Sequence, residues 1–333
     1  MKILVVRFSS IGDVVLTTPV LRTLKTAMPQ ARVDFLVKPA FADAVRHNPR
    51  LDRIYVLRPG VEAELRKERY DWTLDLQKNA LSTWLTHRLG SRRATFDKQN
   101  FKKWRMVQWK TRERVPHVVE RYGLALQALG LRLDDGGLEY YPGEQAEQQA
   151  QRWLSGERRI KIGMALGARH ATKRWPRWSE LAALVDERRF APVLLGGAED
   201  APTARAFVER CPSAVNAVGK CDLNLSAALL KRCDVAVAPD TGLMHIAAAF
   251  GLPIVSIWGN TVPAFGMHPY RTRFVALEND LPCRPCSKLG HRRCPRKHFR
   301  CMTLTTPEIV WNAVLQMLET PTCDGPNLCD PGD

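Results

Sequence analysis

Four polar residues follow a buried strand pattern in the second half of this 333-residue chain. Asp240, Thr241 and Gly242 come directly after the apolar run that begins at Val235, and His245 falls in the first turn of the next helix pattern. Backbone N–H groups at such a helix start point toward the carboxyl edge of a parallel sheet, where ligands bind. The pattern therefore predicts a ligand site. An ordinary helix cap is the alternative, but a helix that only packs gains nothing from a histidine there.

A second turn, near the amino terminus, carries a carboxylate. The strand predicted over 3–8 runs into Ser10 and Gly12, and Asp13 falls in the first turn of the helix that follows. In one interpretation Ser10 caps this helix and Asp13 complements its dipole. In the other, Asp13 faces the carboxyl edge of the sheet and accepts a proton from a substrate. The position alone leaves both interpretations open.

A basic loop follows the strand predicted over 160–166. It contains Arg169, Lys173 and Arg174, and cations at the carboxyl end of a strand suit a phosphate group, with Lys173 as the main point charge. Further along, Glu199 follows a Gly-Gly pair, where it caps a helix or accepts hydrogen bonds from ribose hydroxyls. The alternative for the loop is a solvated basic segment, which is common in a chain this basic.

The elements that must position these residues occur in two similar series. Strands alternate with helices on both sides of a Gly-, Pro- and Asp-rich break, which predicts two α/β domains with mostly parallel sheets, at 1–143 and 144–320. Residues 321–333 are predicted to be a disordered tail. Two such domains leave a cleft that can bring two ligands together. Neither half carries G-x-G-x-x-G or a P-loop, which argues against NAD or FAD.

The composition is that of a soluble globular protein, with 45% hydrophobic and 25% charged residues. The apolar start is too short to span a membrane, so we expect a cytoplasmic protein. Its nine cysteines should be reduced thiols or metal ligands. A formal charge of +16 implies an acidic partner: nucleic acid, a phosphorylated small molecule or an anionic membrane surface.

Half of that charge lies in one segment. Residues 88–114 carry ten lysines and arginines against Asp97 and Glu113, with Trp84, Trp104 and Trp109 among or beside them. Cations interleaved with aromatic rings suit RNA or DNA, and they equally suit the headgroup region of an anionic membrane. A basic solvated face with its tryptophans in the core is the third interpretation.

A cysteine-rich segment, C-x2-C-x7-C-x6-C, comprises Cys283, Cys286, Cys294 and Cys301. The first pair has zinc-ligand spacing, so a structural four-thiolate zinc site is one interpretation. The second pair lacks C-x2-C spacing, which favours a metal-free elaborated loop. No catalytic metal ligand is predicted.

Two long motifs together resemble glycosyltransferase family 9, the ADP-heptose:lipopolysaccharide heptosyltransferases. They are S-S-I-G-D-V-V-L-T-T-P-V-L at 9–21 and P-D-T-G-L-M-H-I-A-A-A-F-G-L-P-I-V-S-I-W-G at 239–259. The resemblance covers the chain to about residue 320, and it implies an α/β GT-B fold with two Rossmann-like domains facing each other across a cleft. The first domain would hold a lipid-linked sugar acceptor and the second the ADP-heptose.

The resemblance also implies roles for matching residues. Asp13 would be the general base of an inverting transfer, and Lys173 would bind the donor diphosphate and stabilise the departing ADP. Glu199 would bind ribose. The family motif D-T-G-x-x-H, which contacts the nucleotide sugar, matches Asp240, Thr241, Gly242 and His245. Ala168 and Arg169 stand where many members have Thr or Ser, so Arg169 is expected to substitute as a diphosphate contact.

The partners implied are an ADP-sugar donor, a lipopolysaccharide inner-core lipid as acceptor and, for the basic segment, the cytoplasmic face of the inner membrane. Whether a divalent cation assists is left open. The alternatives are a transferase for another nucleotide sugar, a non-catalytic nucleotide-sugar binder and, more remotely, a nucleic-acid-binding protein.

Overall fold

The computed structural model describes residues 1–319, which form two compact units; the segment 321–333, predicted to be disordered, lies outside the described residues. The first unit comprises 1–99 and 116–141, and the second comprises 100–115 and the described residues from 142 onward. Residues 100–115 thus group with the second unit, whereas the sequence analysis assigned them to the first domain. The reason is packing, because Met106 and Val115 bury themselves against Phe265.

Every strand of the described residues belongs to one of two sheets, and the helices alternate with the strands. The strands are β1 (Lys2–Val6), β2 (Arg32–Val37), β3 (Arg53–Val56), β4 (Trp72–Asp75), β5 (Arg92–Thr95), β6 (Ile160–Ala165), β7 (Phe190–Leu195), β8 (Val215–Asn216), β9 (Val235–Pro239), β10 (Ile254–Trp258) and β11 (Phe274–Glu278). The helices are α1 (Ile11–Val15), α2 (Thr18–Ala27), α3 (Val61–Glu68), α4 (Ala80–Arg88), α5 (Asn100–Trp109), α6 (Val118–Gln127), α7 (Glu144–Trp153), α8 (Trp178–Ala182), α9 (Ala201–Val208), α10 (Leu223–Lys231), α11 (Gly242–Ala249), α12 (Arg300–Thr303) and α13 (Pro307–Glu319). Short 3₁₀ turns cover Pro39–Ala44, Ala171–Lys173, Ala198–Asp200 and Pro263–Phe265.

The first unit is built on a five-stranded parallel sheet in the order β3-β2-β1-β4-β5. Its central strand β1 is almost wholly apolar, with Ile3 to Val6 completely buried, as expected for a strand covered on both faces. The chain leaves β1 toward β2 and later returns to its other side as β4. The strand order therefore reverses between β1 and β4, and ligands of open α/β sheets bind at such a reversal.

The second unit has a six-stranded parallel sheet in the order β11-β10-β9-β6-β7-β8. Its core consists of the inward residues of the central strands packed against α8, α9 and α13, with Trp178 and Phe207 among the largest buried side chains. Here the order reverses between β6 and β9. The loops after these two strands carry Lys173 and Asp240, so the topology brings together two residues that the sequence analysis selected separately.

The structure differs from the predicted helices and strands mainly where charged residues interrupt the periodicity of apolar residues. The apolar pattern of 14–28 predicts one helix, but these residues form parts of α1 and α2. The break follows from Pro19, which has no N–H to donate to the carbonyl of Val15; that carbonyl accepts a hydrogen bond from the Thr18 hydroxyl (2.8 Å) instead. Strands β5 and β11 and helices α4, α5, α7 and α12 were not predicted. β5 is an edge strand that begins with two arginines, and α5 buries only Met106, so neither shows the usual periodicity.

Within residues 1–319, no helix combines the length and the apolar character needed to cross a membrane.

A partly exposed polar network ties β2 and β3 to α3 in the first unit. The Glu68 carboxylate accepts hydrogen bonds from Arg32 (2.8 Å), Arg53 (2.9 Å) and Tyr55 (3.0 Å). These hydrogen bonds, of which the one from Arg32 has the largest effect, lower the pKa of Glu68 to about 2. The stabilisation from this carboxylate is complete above its unfolded pKa near 4.5 and is lost as the pH falls toward about 2.

We expect Glu68→Gln to lower the free energy of unfolding at neutral pH by about 1 kcal/mol, because it breaks charge-assisted hydrogen bonds. Urea midpoints measured from about pH 7 to about pH 3 should show the wild type and the variant converging as Glu68 becomes protonated. Glu64→Gln, which breaks the more exposed Glu64–Arg58 pair (2.6 Å) of the same helix, is the matched control and should change little. A difference between the urea midpoints of the wild type and Glu68→Gln that stays constant over this pH range would contradict the lowered pKa of Glu68.

Candidate active site

Asp13 lies in the loop and first helical turn that follow the central strand β1. Its carboxylate accepts hydrogen bonds from the backbone N–H of Ser10 (3.1 Å) and from the Ser10 hydroxyl (2.9 Å). Ser10 is the N-cap of α1 with extended backbone, and Gly12 is buried inside that short helix. The capping contacts that the sequence suggested are therefore present. They leave the Asp13 side chain 23% exposed, so capping and proton transfer are compatible roles.

Arg7 holds the same carboxylate from the other side. Its guanidinium lies 2.7 Å from Asp13 Oδ1 and is itself held by the carbonyls of Ser9 (2.8 Å) and Leu76 (2.6 Å). It also lies over the ring of Tyr122, 5.7 Å from the ring centroid. Burial works against the cation, but Asp13 and then Tyr122 outweigh it and raise the pKa of Arg7. Arg7 was not among the site residues predicted from the sequence, although it precedes the first motif by only a few positions.

Lys98 joins this neighbourhood from the loop after β5. Burial lowers the pKa of Lys98, the Arg7 guanidinium lowers it further, and the Asp75 and Asp13 carboxylates oppose the shift. Arg121 keeps the loop in place by donating to the carbonyl of Lys98 (3.0 Å). Lys98, a member of the basic segment 88–114, is therefore partly buried and interacts electrostatically with Arg7 and Asp13.

In the second unit, Lys173 and Asp240 form one ion pair at the strand reversal. Lys173 Nζ lies 2.5 Å from Asp240 Oδ2, and the same oxygen accepts a hydrogen bond from the Thr261 hydroxyl (2.8 Å). These residues follow β6, β9 and β10, so three loops meet at one carboxylate. Both side chains of the pair are largely buried. The sequence analysis predicted Lys173 and Asp240 as separate ligand contacts and missed Thr261, which lies just beyond the second motif.

A tryptophan holds the basic loop in this position. Trp175, 1% exposed, packs edge to face on Trp178 with ring centroids 5.0 Å apart. Its indole N–H donates to the carbonyl of Thr305 (2.9 Å). Only Arg174 separates Lys173 from this anchor, so the lysine has little freedom to move away from the sheet edge, as a diphosphate contact requires.

The two arginines of the basic loop, Arg169 and Arg174, differ in their surroundings. Arg174 reaches Asp200 (3.3 Å) and, less closely, Glu199 (3.8 Å), while Arg169 is exposed. Burial lowers the pKa of His170, and Lys173 and then Arg169 lower it further. The loop is therefore electropositive, as a diphosphate site requires. Arg169 and Glu199 as ligand contacts stay predictions.

Glu199 was predicted as the acidic ligand contact of this turn, but the buried carboxylate is that of its neighbour Asp200. It accepts a hydrogen bond from the backbone N–H of Gly197 (3.0 Å), and burial raises its pKa while Arg174 opposes the shift. A Cβ added to Gly167 would lie 2.0 Å from its carboxylate, and one added to Gly196 would lie 2.7 Å away. The glycines after β6 and β7 thus make room for Asp200, whereas Glu199 is 65% exposed.

The rest of the second motif takes the positions expected of it. Thr241 is the extended N-cap of α11, and Gly242 is the first residue of the helix. His245 is 2% exposed, inside the first turn. Their contacts with a nucleotide sugar stay predictions.

The cysteine-rich segment packs against the basic loop. Thr172 and His291 exchange hydrogen bonds, with His291 N–H donating to the Thr172 hydroxyl (2.8 Å). Burial raises the pKa of Cys286, and the neighbouring Cys283 and Cys294 raise it further. Within the described residues, no group of three or more His, Cys, Asp or Glu side chains is arranged to hold a metal ion, and a structural zinc site stays only the alternative interpretation of the cysteine spacing.

Two units, each a parallel sheet with polar side chains gathered where its strand order reverses, have the architecture of the GT-B glycosyltransferases. Comparison with known proteins places the chain in this class. The model of glycosyltransferase family 9 (heptosyltransferase) matches residues 60–296. Lipopolysaccharide heptosyltransferase 1 of Pseudomonas aeruginosa is 28% identical over 96% of this chain and 99% of its own.

Solved structures share the fold. The family 9 glycosyltransferase of Veillonella parvula superposes with a TM-score of 0.78 at 22% identity, covering 95% of this chain and 97% of that one. The ADP-heptose LPS heptosyltransferase II of E. coli gives 0.74 at 23% identity, covering 96% and 98%. The chain belongs to glycosyltransferase family 9. The fold class, the family and the enzyme class inferred from the sequence are thereby confirmed.

Proposed function

We propose that this heptosyltransferase moves heptose from ADP-heptose to a hydroxyl group of the lipopolysaccharide inner core, with inversion at the anomeric carbon. The observation that carries the proposal is the Asp13 carboxylate, which Arg7 and Ser10 orient at the strand reversal of the first unit. A carboxylate that is held in one direction and still accessible is suited to accept a proton from a bound hydroxyl.

In the proposed step, the acceptor oxygen attacks the anomeric carbon while its proton passes to Asp13. The bond between that carbon and the diphosphate oxygen breaks, and ADP leaves with the electron pair. Charge builds on the diphosphate as the bond breaks, and a fixed cation near it lowers the barrier. Lys173 is the residue we assign to this task, and a phosphate leaving group of this kind needs no strong general acid.

The donor is assigned to the second unit. Lys173 already shares Asp240 with Thr261, so a bound diphosphate would compete for a lysine that the site holds ready. Arg169, Thr241, Gly242 and His245 are proposed as further contacts to the nucleotide sugar, and Glu199 to the ribose. ADP-heptose is favoured as donor because the name of the E. coli relative specifies it.

The acceptor is assigned to the first unit. The relatives are named for lipopolysaccharide, whose inner core is anionic, and Lys98 and Arg7 place positive charge beside the candidate base. We further propose that the protein works at the cytoplasmic face of the inner membrane, where such a lipid acceptor is accessible to it.

The direct test is incubation of the full chain with ADP-heptose and a set of truncated lipopolysaccharide acceptors, with released ADP followed over time. We expect ADP release that depends on the acceptor, together with acceptor heptosylation by mass spectrometry. Activity with another nucleotide sugar but not ADP-heptose would correct the donor. Absence of turnover with ADP-, GDP- and UDP-sugars alike would overturn the proposal and favour a non-catalytic nucleotide-sugar binder.

A further inference from the structure

Three large aromatic side chains of the α5 region lie on the surface of the second unit. Phe101 is 69% exposed, Trp104 43% and Trp109 61%. Phe101 and Trp104 are stacked with ring centroids 6.0 Å apart, and Trp104 meets Trp109 edge to face at 5.2 Å. The rings therefore form one continuous cluster, which we call the α5 aromatic surface.

This surface is not explained by the packing of its own unit. The helix buries only Met106, which packs with Val115 and Phe265. Monomeric soluble proteins rarely expose several adjoining aromatic side chains without a partner for them. None of the three rings has been placed in the candidate active site.

Cations surround the α5 aromatic surface. Residues 100–114 contain six lysines and arginines and one carboxylate, Glu113, which pairs with Arg105 (2.9 Å) and more distantly with Lys102 (3.8 Å). Arg112 meets Asp280 at 3.3 Å, but both side chains are 91% exposed, so that pair contributes little. The segment keeps a clear positive excess.

A second basic segment of the same unit adjoins it. Lys110 Nζ donates to the carbonyl of Pro285 (2.7 Å), which joins the end of α5 to the cysteine-rich segment. Residues 281–303 contain seven lysines and arginines and no acidic residue, and all of these cations except the buried Arg284 are exposed. Leu289, also in this segment, is 69% exposed. Two basic stretches that are far apart in the sequence thus meet beside the exposed rings.

We propose that the α5 aromatic surface docks on an anionic phospholipid bilayer. Tryptophan and phenylalanine rings lie favourably at the boundary between headgroups and acyl chains, and lysines and arginines bind the lipid phosphates beside them. Nucleic acid would also accept cations with stacked rings. The bilayer is favoured because the rings stack on one another instead of standing apart to receive bases.

The proposal is tested by co-sedimentation of the full chain with vesicles of phosphatidylglycerol and phosphatidylcholine, and with vesicles of phosphatidylcholine alone. We expect binding to the anionic vesicles only, weakening as salt rises from about 0.1 M to about 0.5 M. The triple change Phe101→Ser, Trp104→Ser and Trp109→Ser should reduce the binding constant by about tenfold or more. Lys102→Gln with Lys103→Gln should reduce it by about tenfold.

Trp153→Ser is the matched control, since Trp153 is an exposed tryptophan beside an arginine on α7 of the same unit. It should bind vesicles like the wild type, and thermal unfolding should show that every variant is folded. Equal binding by the triple variant and the wild type would overturn the proposal. So would equal binding to neutral vesicles, or a tighter interaction with single-stranded RNA that the same substitutions abolish.

Vesicle binding needs no sugar substrate, so its outcome is independent of the proposed transferase activity. The two are joined in one further measurement. Transfer to a soluble, delipidated acceptor should be the same for the wild type and the triple variant, whereas transfer to acceptor embedded in anionic vesicles should fall in the variant. Loss of both activities would instead show that the rings serve the transfer itself and would contradict docking as their role.

Discussion

Asp13→Asn is expected to lower kcat for heptosyl transfer by about 10³-fold, the size of effect that loss of a general base produces. Asparagine keeps the shape of the side chain and can still accept from Ser10, but it cannot take the proton of the acceptor hydroxyl. Binding of the ADP-sugar should survive, because Asp13 belongs to the first unit and the donor is assigned to the second. Released ADP gives kcat, and calorimetry gives donor affinity.

The same change also leaves Arg7 without its carboxylate. Asp43→Asn is a matched control in the same unit, since Asp43 forms a 2.5 Å pair with Arg46 on the surface. It should leave activity unchanged. Thermal unfolding separates a loss of fold from a loss of chemistry. An Asp13→Asn protein that is folded and fully active would show that Asp13 only caps α1.

Lys173→Met is expected to lower kcat by about 10²-fold and to weaken ADP binding, because no fixed cation then meets the charge that develops on the diphosphate. Lys161→Met is the matched control. Lys161 also pairs with an aspartate, Asp234 at 3.7 Å, but it lies at the start of β6, away from the candidate site. Steady-state kinetics with varied donor, and ADP titration, are the measurements.

Removing Lys173 also leaves the Asp240 carboxylate beside the diphosphate with only Thr261, so repulsion alone could weaken binding. The double variant Lys173→Met with Asp240→Asn resolves this. If repulsion were the cause, the double variant would recover most of the activity; we expect it to remain as impaired as the single variant or more. Wild-type turnover by a folded Lys173→Met protein would refute the role of the lysine.

Most helices and strands could be predicted from the sequence because they follow the local periodicity of apolar residues. Short apolar runs rich in β-branched residues, such as Ile3 to Val6, are typical of strands covered on both sides, and their alternation with helices predicts parallel sheets. Helices and strands without a clear contrast between apolar and polar faces were not predicted. α4 buries Ser82 and Thr86 while exposing Leu81 and Trp84, so its sequence does not show which face packs.

The sequence by itself determined that the chain is a two-domain α/β glycosyltransferase of family 9, and which strand ends carry its polar residues. The tertiary structure alone decided how those residues pair. Lys173 and Asp240 are 67 positions apart, and they meet because β6 and β9 are neighbours in the sheet. Three further features could not be predicted from the sequence: the pairing of Arg7 with Asp13, the burial of Asp200, and the grouping of residues 100–115 with the second unit. The physical reason is that a local pattern encodes burial, whereas contact between distant residues depends on strand order, which the packing of the whole unit selects.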